Sequence, residues 1–168
     1  KKSVERNRLV LLLQEAQAVR ADRPSLALLQ ASAEDRKGKL VPPVLFGEAA
    51  GTTEYGWDID LWNLRQTLRW LTEHGPDGDR FGQLVISISR TSLLREKLAG
   101  AVLELLMATE VPPARLCFAI ADRDAVGNLE QTAEFINTLR AFGCRFMLDE
   151  FGGGQGDYAH VRELAVDY

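Results

Sequence analysis

Three short alternating runs recur along the second half of the chain at intervals of about 30 residues, the size of a strand–helix–strand unit. In the first, Leu84, Ile86 and Ile88 alternate with Val85, Ser87 and Ser89. In the second, Leu116, Phe118 and Ile120 are bulky on one face, while Cys117, Ala119 and Ala121 are small on the other. In the third, Phe146 and Leu148 alternate with Arg145, Met147 and Asp149. Helical stripes lie between them: Leu94, Leu98, Ala101, Val102 and Leu105, ended by Pro112 and Pro113, and then Ala133, Ile136 and Leu139. Asn128, with Gln131 three residues on, reads as the N-cap of the second helix, and Gly143 reads as its end. Such alternation predicts an α/β fold with parallel strands joined by helical crossovers. The bulky faces would pack on the helices. The opposite set, with Ser87, Ala119 and Asp149 at comparable positions, would face inward or toward a strand-end cleft, as in a (β/α) barrel. An open doubly wound sheet is the alternative on pattern alone.

The first half is less regular. Leu9 to Gln14 puts Val10, Leu12 and Gln14 on one face of a strand, and Ser25 to Gln30 does the same with Leu26, Leu28 and Gln30 after a turn containing Asp22 and Pro24. These two strands are expected to pair directly. The segment from Ala33 to Gly56 reads as an elaborated connection, its charged run Glu34 to Lys39 a solvated loop. A helix is expected from Asp58, with Leu61, Leu64, Leu68 and Leu71 at helical spacing and His74-Gly75-Pro76-Asp77-Gly78 as its stop. At the other end, Tyr158 to Leu164 predicts a short helix and Val166 to Tyr168 the start of another strand, about six strands in all.

With 168 residues and 46% hydrophobic side chains, the chain is expected to form one domain with a substantial core. Val4 to Arg8 resembles the tail of a helix with no start signal, so the chain is expected to begin inside a larger protein. A net charge of −4 without a basic run argues against polymeric nucleic acid or a membrane surface as partner. No apolar run approaches the roughly 18 residues that span a bilayer. Cys117 and Cys144 lie in or beside apolar runs without metal-ligand spacing, which points to buried thiols in a reducing compartment, the cytoplasm by default.

Chemistry concentrates between Arg145 and Asp157, where Asp149 and Glu150 close a strand and Gly152, Gly153, Gly154 and Gly156 follow. Two carboxylates before a glycine loop is one way α/β enzymes hold a metal and a phosphate; it is equally a polar strand end before a flexible turn. His74 and His160 have no partner at metal-ligand spacing and are read as solvated or capping groups. Trp57, Trp62 and Trp70 are read as packing residues.

From about Leu9 onward, a series of segments in common order resembles the EAL family of bacterial cyclic-di-GMP phosphodiesterases. The family's Tyr-Gln-Pro strand end is similar to Leu13-Gln14-Glu15, and its Glu-Ala-Leu-Leu-Arg signature falls on Leu26-Ala27-Leu28-Leu29-Gln30. Pro-x-x-Phe resembles Pro43-Val44-Leu45-Phe46, and Ile-Asp-x-Trp resembles Ile59-Asp60-Leu61-Trp62. Asn-Leu-Ser falls on Ser87-Ile88-Ser89, Pro-Pro-x-Arg-Leu on Pro112 to Leu116, Leu-Glu-Ile-Thr-Glu on Phe118 to Asp122, and Asp-Asp-Phe-Gly-Thr-Gly on Asp149 to Gly154.

The resemblance implies an EAL-like (β/α) barrel, incomplete at about six strands and stopping before the barrel ends, in which Mg²⁺ or Mn²⁺ would activate water against the phosphodiester. The family's metal-binding residues, however, are replaced by Leu26, Ser87 and Ala119, while Asp149 is kept and Glu150 keeps the charge. Hard divalent ions need several oxygen ligands. The expectation is therefore a degenerate domain with no catalytic residues, metal or cofactor, whose nucleotide-binding candidates are Gln14, Gln30, Asp149 and Glu150. Gln30 stands where the family has a phosphate-holding arginine, and Gln14 keeps an amide able to meet a guanine edge. Two roles follow: a regulatory module acting through protein contacts, with a partner or second copy covering the open barrel, or a cyclic-di-GMP receptor that binds without cleaving.

Overall fold

The computed structural model describes residues 9–18, 24–35, 37–42, 46, 53, 55–78, 81–152 and 158–168. The expected helix tail at Val4 to Arg8, most of the Pro43 to Phe46 segment, and the glycine loop from Gly153 to Asp157 lie outside the described residues. Five strands form one sheet in chain order: β1 (Leu9–Ala16), β2 (Ser25–Ala33), β3 (Phe81–Ile88), β4 (Leu116–Ala121) and β5 (Arg145–Asp149). β1 runs antiparallel to β2, and β2 through β5 are parallel to one another. Instead of about six strands there are five among the described residues. The backbone N–H groups of Asp167 (2.9 Å) and Tyr168 (3.2 Å) donate to the Phe146 carbonyl, and that of Leu148 donates to the Tyr168 carbonyl (3.1 Å). These residues lie along β5 as the start of a further strand would, with too short a pairing to count as one.

Helices fill the crossovers: α1 (Gly56–Gly78), α2 (Arg90–Leu93), α3 (Leu98–Met107), α4 (Asp122–Gly127), α5 (Leu129–Ala141) and α6 (Ala159–Leu164). The main core joins Leu64, Leu68 and Leu71 of α1, Leu98, Val102 and Leu106 of α3, and Phe135, Ile136 and Leu139 of α5 to the bulky strand face of Leu84, Ile86, Ile88, Leu116, Phe118, Ile120, Phe146 and Leu148. Phe118, Phe135 and Phe146 pack with ring centroids 5.8–5.9 Å apart, two of the pairs edge to face. On the opposite strand face, Val85, Cys117 and Ala119 are buried with Leu26, Leu28 and Met147 packed against them, and no helical residue joins that cluster. The described helices thus pack on a single face, as around a barrel and unlike a doubly wound sheet.

Several local readings change. α1 begins at Gly56 and continues through the Gly-Pro segment to Gly78, so the expected stop is its last turn. The stripe from Leu94 to Leu105 is not one helix: Leu94 is the C-cap of α2 and α3 begins at Leu98; Ser89 caps α2 through its hydroxyl, which accepts from the Ser92 N–H. Asn128 does not cap α5 with its side chain, because α4 precedes it and its amide donates back to the Asp124 carbonyl at 3.1 Å. Gly143 does end α5: at φ 103° its N–H reaches Arg140, and the Cys144 N–H reaches Leu139, the paired bonds of a Schellman cap. Trp57 and Trp70 pack against the main core, and Trp62 against Ala31 and Ile59. Both cysteines are buried free thiols, and burial pushes Cys117 up to about 12 and Cys144 up to about 11. No described helix is long and apolar enough to cross a membrane.

Candidate functional site at the strand ends

Parallel strands place their C-terminal ends, and the turns that follow, at one mouth of the sheet. At that mouth the register sets Ser87 beside Ala119, Ala119 beside Met147, and Ala121 beside Asp149. Gln30 falls one residue beyond the Leu29–Ile86 pairing, next to Ser87. Gln14 lies opposite Leu28, and Leu12 opposite Gln30, so both glutamines share the inner face with Leu26 and Leu28. Gln14 is exposed and Gln30 half-buried. The glutamines and Asp149 are three to four strands apart, at least roughly 14 Å along the sheet at the usual strand spacing. By register Gln14 is level with Leu28, Val85, Cys117 and Arg145, while Gln30 follows the Leu29–Ile86 pair and Asp149 is level with Ala121, so the structure brings Asp149 and Glu150 together but not with the glutamines.

The two carboxylates at the end of β5 do different things. Asp149 is exposed, and its Oδ1 accepts from the Glu150 N–H at 2.8 Å. Glu150 sits in the left-handed region at φ 55° and pairs its Oε2 with Arg123 Nη1 of α4 at 3.2 Å. Both partners are largely exposed, so the pair contributes under about 1 kcal/mol. Beyond it, Phe151 stacks obliquely on Tyr158 with centroids 5.4 Å apart and lies 6.4 Å from the His160 ring.

His160 is not the solvated group expected from sequence. Its Nε2 meets Asp122 Oδ1 at 2.7 Å with the two side chains only 11% and 15% exposed, tying α6 to the start of α4. The residues are 38 apart in the chain, which hid the pair from any spacing argument.

Asp60 is the other buried polar group whose partner only the fold supplies. Its Oδ2 accepts from the Ser89 hydroxyl at 2.6 Å and the Ser89 N–H at 2.8 Å, linking α1 to the turn after β3. Burial pushes its carboxyl up to about 6, against the opposing effect of those bonds and a bond from Ser92. The retained Ile-Asp-x-Trp segment was the signal for it; the acceptor role of Asp60 was not readable without the fold.

A pair of Mg²⁺ or Mn²⁺ ions would need about six oxygen ligands each in rigid geometry. The inner wall where such ligands would stand is apolar: Leu26, Leu28 and Met147 close around buried Val85, Cys117 and Ala119. Ser87 adds one hydroxyl, and Asp149 stands at the wall's edge. Among the described residues no three His, Cys, Asp or Glu side chains gather to hold a metal ion. The donor set does not fit a two-metal site.

An antiparallel first strand, parallel strands after it, helices on the outer face and carboxylates at the strand ends define a barrel-type α/β domain of the EAL class. The chain belongs to the EAL domain family, whose pattern matches residues 1–168. Among curated relatives it is 26% identical over 167 residues to the cyclic di-GMP phosphodiesterase PdeF of Escherichia coli K12, covering 98% of this chain and 22% of that protein. It is 27% identical over 168 residues to the cyclic di-GMP phosphodiesterase PdeB of Shewanella oneidensis, covering 99% of this chain and 19% of that protein. The chain thus spans about a fifth of those relatives' length. Among solved structures, the FimX EAL domain of Pseudomonas aeruginosa bound to c-di-GMP superposes with a TM-score of 0.85 at 25% identity, over 98% of this chain and 66% of that one. The PaMucR phosphodiesterase in complex with c-di-GMP superposes at 0.86 and 20% identity, over 98% and 67%, a likeness of fold alone.

Proposed function

We propose that this chain is a catalytically inactive EAL module of a larger cyclic-di-GMP signalling protein in the cytoplasm, acting through protein contacts. The observation that carries the reading is the apolar inner wall: Leu26 and Ala119 belong to a packed cluster at positions where the family chemistry requires oxygen donors. Without those donors no divalent pair is assembled to lower the pKa of an attacking water. The small share of the curated relatives that the chain spans supports its being one part of a larger protein. The half-buried residues Leu26, Leu28 and Met147 of the inner wall and the edge beside β5 would be covered by further strands of the domain, by a partner or by a second copy.

A second reading is favoured by one specific likeness, the FimX EAL domain bound to c-di-GMP. In it this chain is a receptor that holds the nucleotide without cleaving it, with Gln14 and Gln30 contributing from β1 and β2 and Asp149 and Glu150 from the end of β5. The glutamines would offer amides to a guanine edge, but no arginine fork stands at position 30 for the phosphate.

Incubation with cyclic-di-GMP and Mg²⁺ or Mn²⁺ tests the first claim, and we expect no turnover. Hydrolysis that disappears in Asp149→Ala would overturn it. Calorimetric titration separates the two readings: micromolar or tighter binding, weakened by Gln14→Ala, supports the receptor and sinks the pure interaction module.

A further inference from the structure

β4 and β5 run parallel with Ala121 level with Asp149, so the residues that leave the two strands emerge side by side at the mouth. On one side are Asp122 and Arg123, in the first turn of α4, and on the other is Glu150. Asp122 is committed to His160 at 2.7 Å, and Arg123 pairs with Glu150 at 3.2 Å. Asp149 is engaged as well, its Oδ1 accepting from the Glu150 N–H at 2.8 Å. Glu150 stands in left-handed backbone at φ 55°, off the line of β5, and from there its carboxylate meets the guanidinium of α4.

The placement of Arg123 is informative because its own helix does not favour it. The start of a helix stabilises anions, and Asp122 and Asp124 on either side of Arg123 follow that preference. A cation between them finds its counterpart across the turn, in the adjacent carboxylates of Asp149 and Glu150. Two neighbouring carboxylates disfavour each other's charge unless a positive charge lies close. A bound divalent ion is one way to supply that charge. A guanidinium held by the chain itself is another.

We propose that Arg123 is the resident counter-ion of the Asp149–Glu150 pair and shuts this strand end to divalent cations. The proposal rests on the reading of an inactive module and deepens it: besides the donors missing from the inner wall, the two carboxylates that remain are closed by a charge of the chain's own. The means is repulsion rather than rigidity. A Mn²⁺ ion on the Glu150 carboxylate, at the roughly 2.1 Å usual for a small hard cation, would lie within about 5 Å of the guanidinium that now sits 3.2 Å from that carboxylate. Repulsion between a divalent ion and a fixed cation at that distance weakens binding on the order of tenfold even in water. The ion pair itself adds little to stability, because its side chains are 72% and 57% exposed, so its removal leaves the fold in place.

The test is Mn²⁺ titration of the whole chain, followed by the electron paramagnetic resonance signal of the free ion. The wild type is expected to bind no tighter than the millimolar range. Arg123→Gln should bind about tenfold more tightly, while Arg123→Lys, which keeps the charge, should behave as the wild type does. Adding Glu150→Gln to Arg123→Gln should remove the gain, which ties it to this carboxylate. Unchanged thermal midpoints verify that the variants stay folded. Equal affinity in the wild type and Arg123→Gln, whether tight, weak or undetectable, would overturn the proposal. So would a gain shared by Arg123→Lys, or one that survives Glu150→Gln. Turnover of cyclic-di-GMP by the wild type, measured separately, would sink the inactive module; equal Mn²⁺ affinities without turnover would sink only the role of Arg123.

Discussion

At Asp60, burial and hydrogen bonding pull in opposite directions, and burial wins. The Ser89 N–H and hydroxyl favour the carboxylate, yet its pKa rises from 3.8 to about 6. The folded state therefore holds the proton more tightly than the unfolded chain. Below the unfolded value both states are protonated and this group exacts no penalty; as pH rises through the folded value, the native protein must keep a buried charge and stability is lost. A shift of about two units corresponds to about 3 kcal/mol. Urea denaturation from pH 4 to 7 should show the wild type losing stability across that window and Asp60→Asn losing much less, since the amide oxygen still accepts from Ser89 but carries no charge. Equal slopes would show that Asp60 is solvated enough to ionise freely. The residue also marks where sequence reading stops. Asp60 and His160 both carry polar links between segments far apart in the chain, to Ser89 and Asp122, and local pattern has no term for a partner that only the fold delivers.

Elements were legible to the extent that a period of two or a helical stripe specified them. The alternation in β3, β4 and β5 assigned both strand faces correctly, because one face is buried by helices and tolerates only bulky apolar groups. β4 was bounded at Leu116 and Ala121 by the proline turn before it and the charges after it. Where elements abut without an intervening loop, the boundaries were lost: α4 follows β4 directly, and its presence turned Asn128 from a presumed side-chain cap into a link back to Asp124. The glycine stop of α5 was readable because a single residue type serves that geometry. Gly143 at φ 103° closes the Schellman turn and lets Cys144 enter the core beside Leu139. Gly143→Ala should lower stability by about 1–2 kcal/mol, the usual penalty of a β-carbon in left-handed backbone. The nearest atom to that β-carbon is 4.0 Å away, so strain rather than collision is what the measured midpoint would report. A neutral substitution would mean that the turn relaxes to another cap.

For the whole molecule, the decisive contrast is between the two faces of one sheet. The outer face is a core packed by helices, as a (β/α) domain requires, while the family likeness read from sequence rested on short segments in common order from Leu13 to Gly154. The inner wall in an enzyme of this class would be polar at the strand ends; here it is a second small core, and the substitutions that make it so were visible in the chain as Leu26, Ser87 and Ala119. What could not be read was that Leu26 and Ala119 pack with Leu28, Val85, Cys117 and Met147, because that depends on register across four strands. The cluster makes a prediction that separates a packed wall from a latent ion site. Ala119 is 2% exposed, and Ala119→Glu forces a carboxylate among apolar neighbours with no cation beside it. It should destabilise the domain by about 3 kcal/mol or more, or be accommodated only as the neutral acid. Addition of Mg²⁺ or Mn²⁺ should not restore the thermal midpoint, since one new glutamate with Ser87 and Asp149 remains short of a coordination sphere. A variant that folds as well as the parent, or whose midpoint climbs with Mn²⁺, would show that the wall is an open cleft ready for a cation, and the proposal of an inactive module would fall with it.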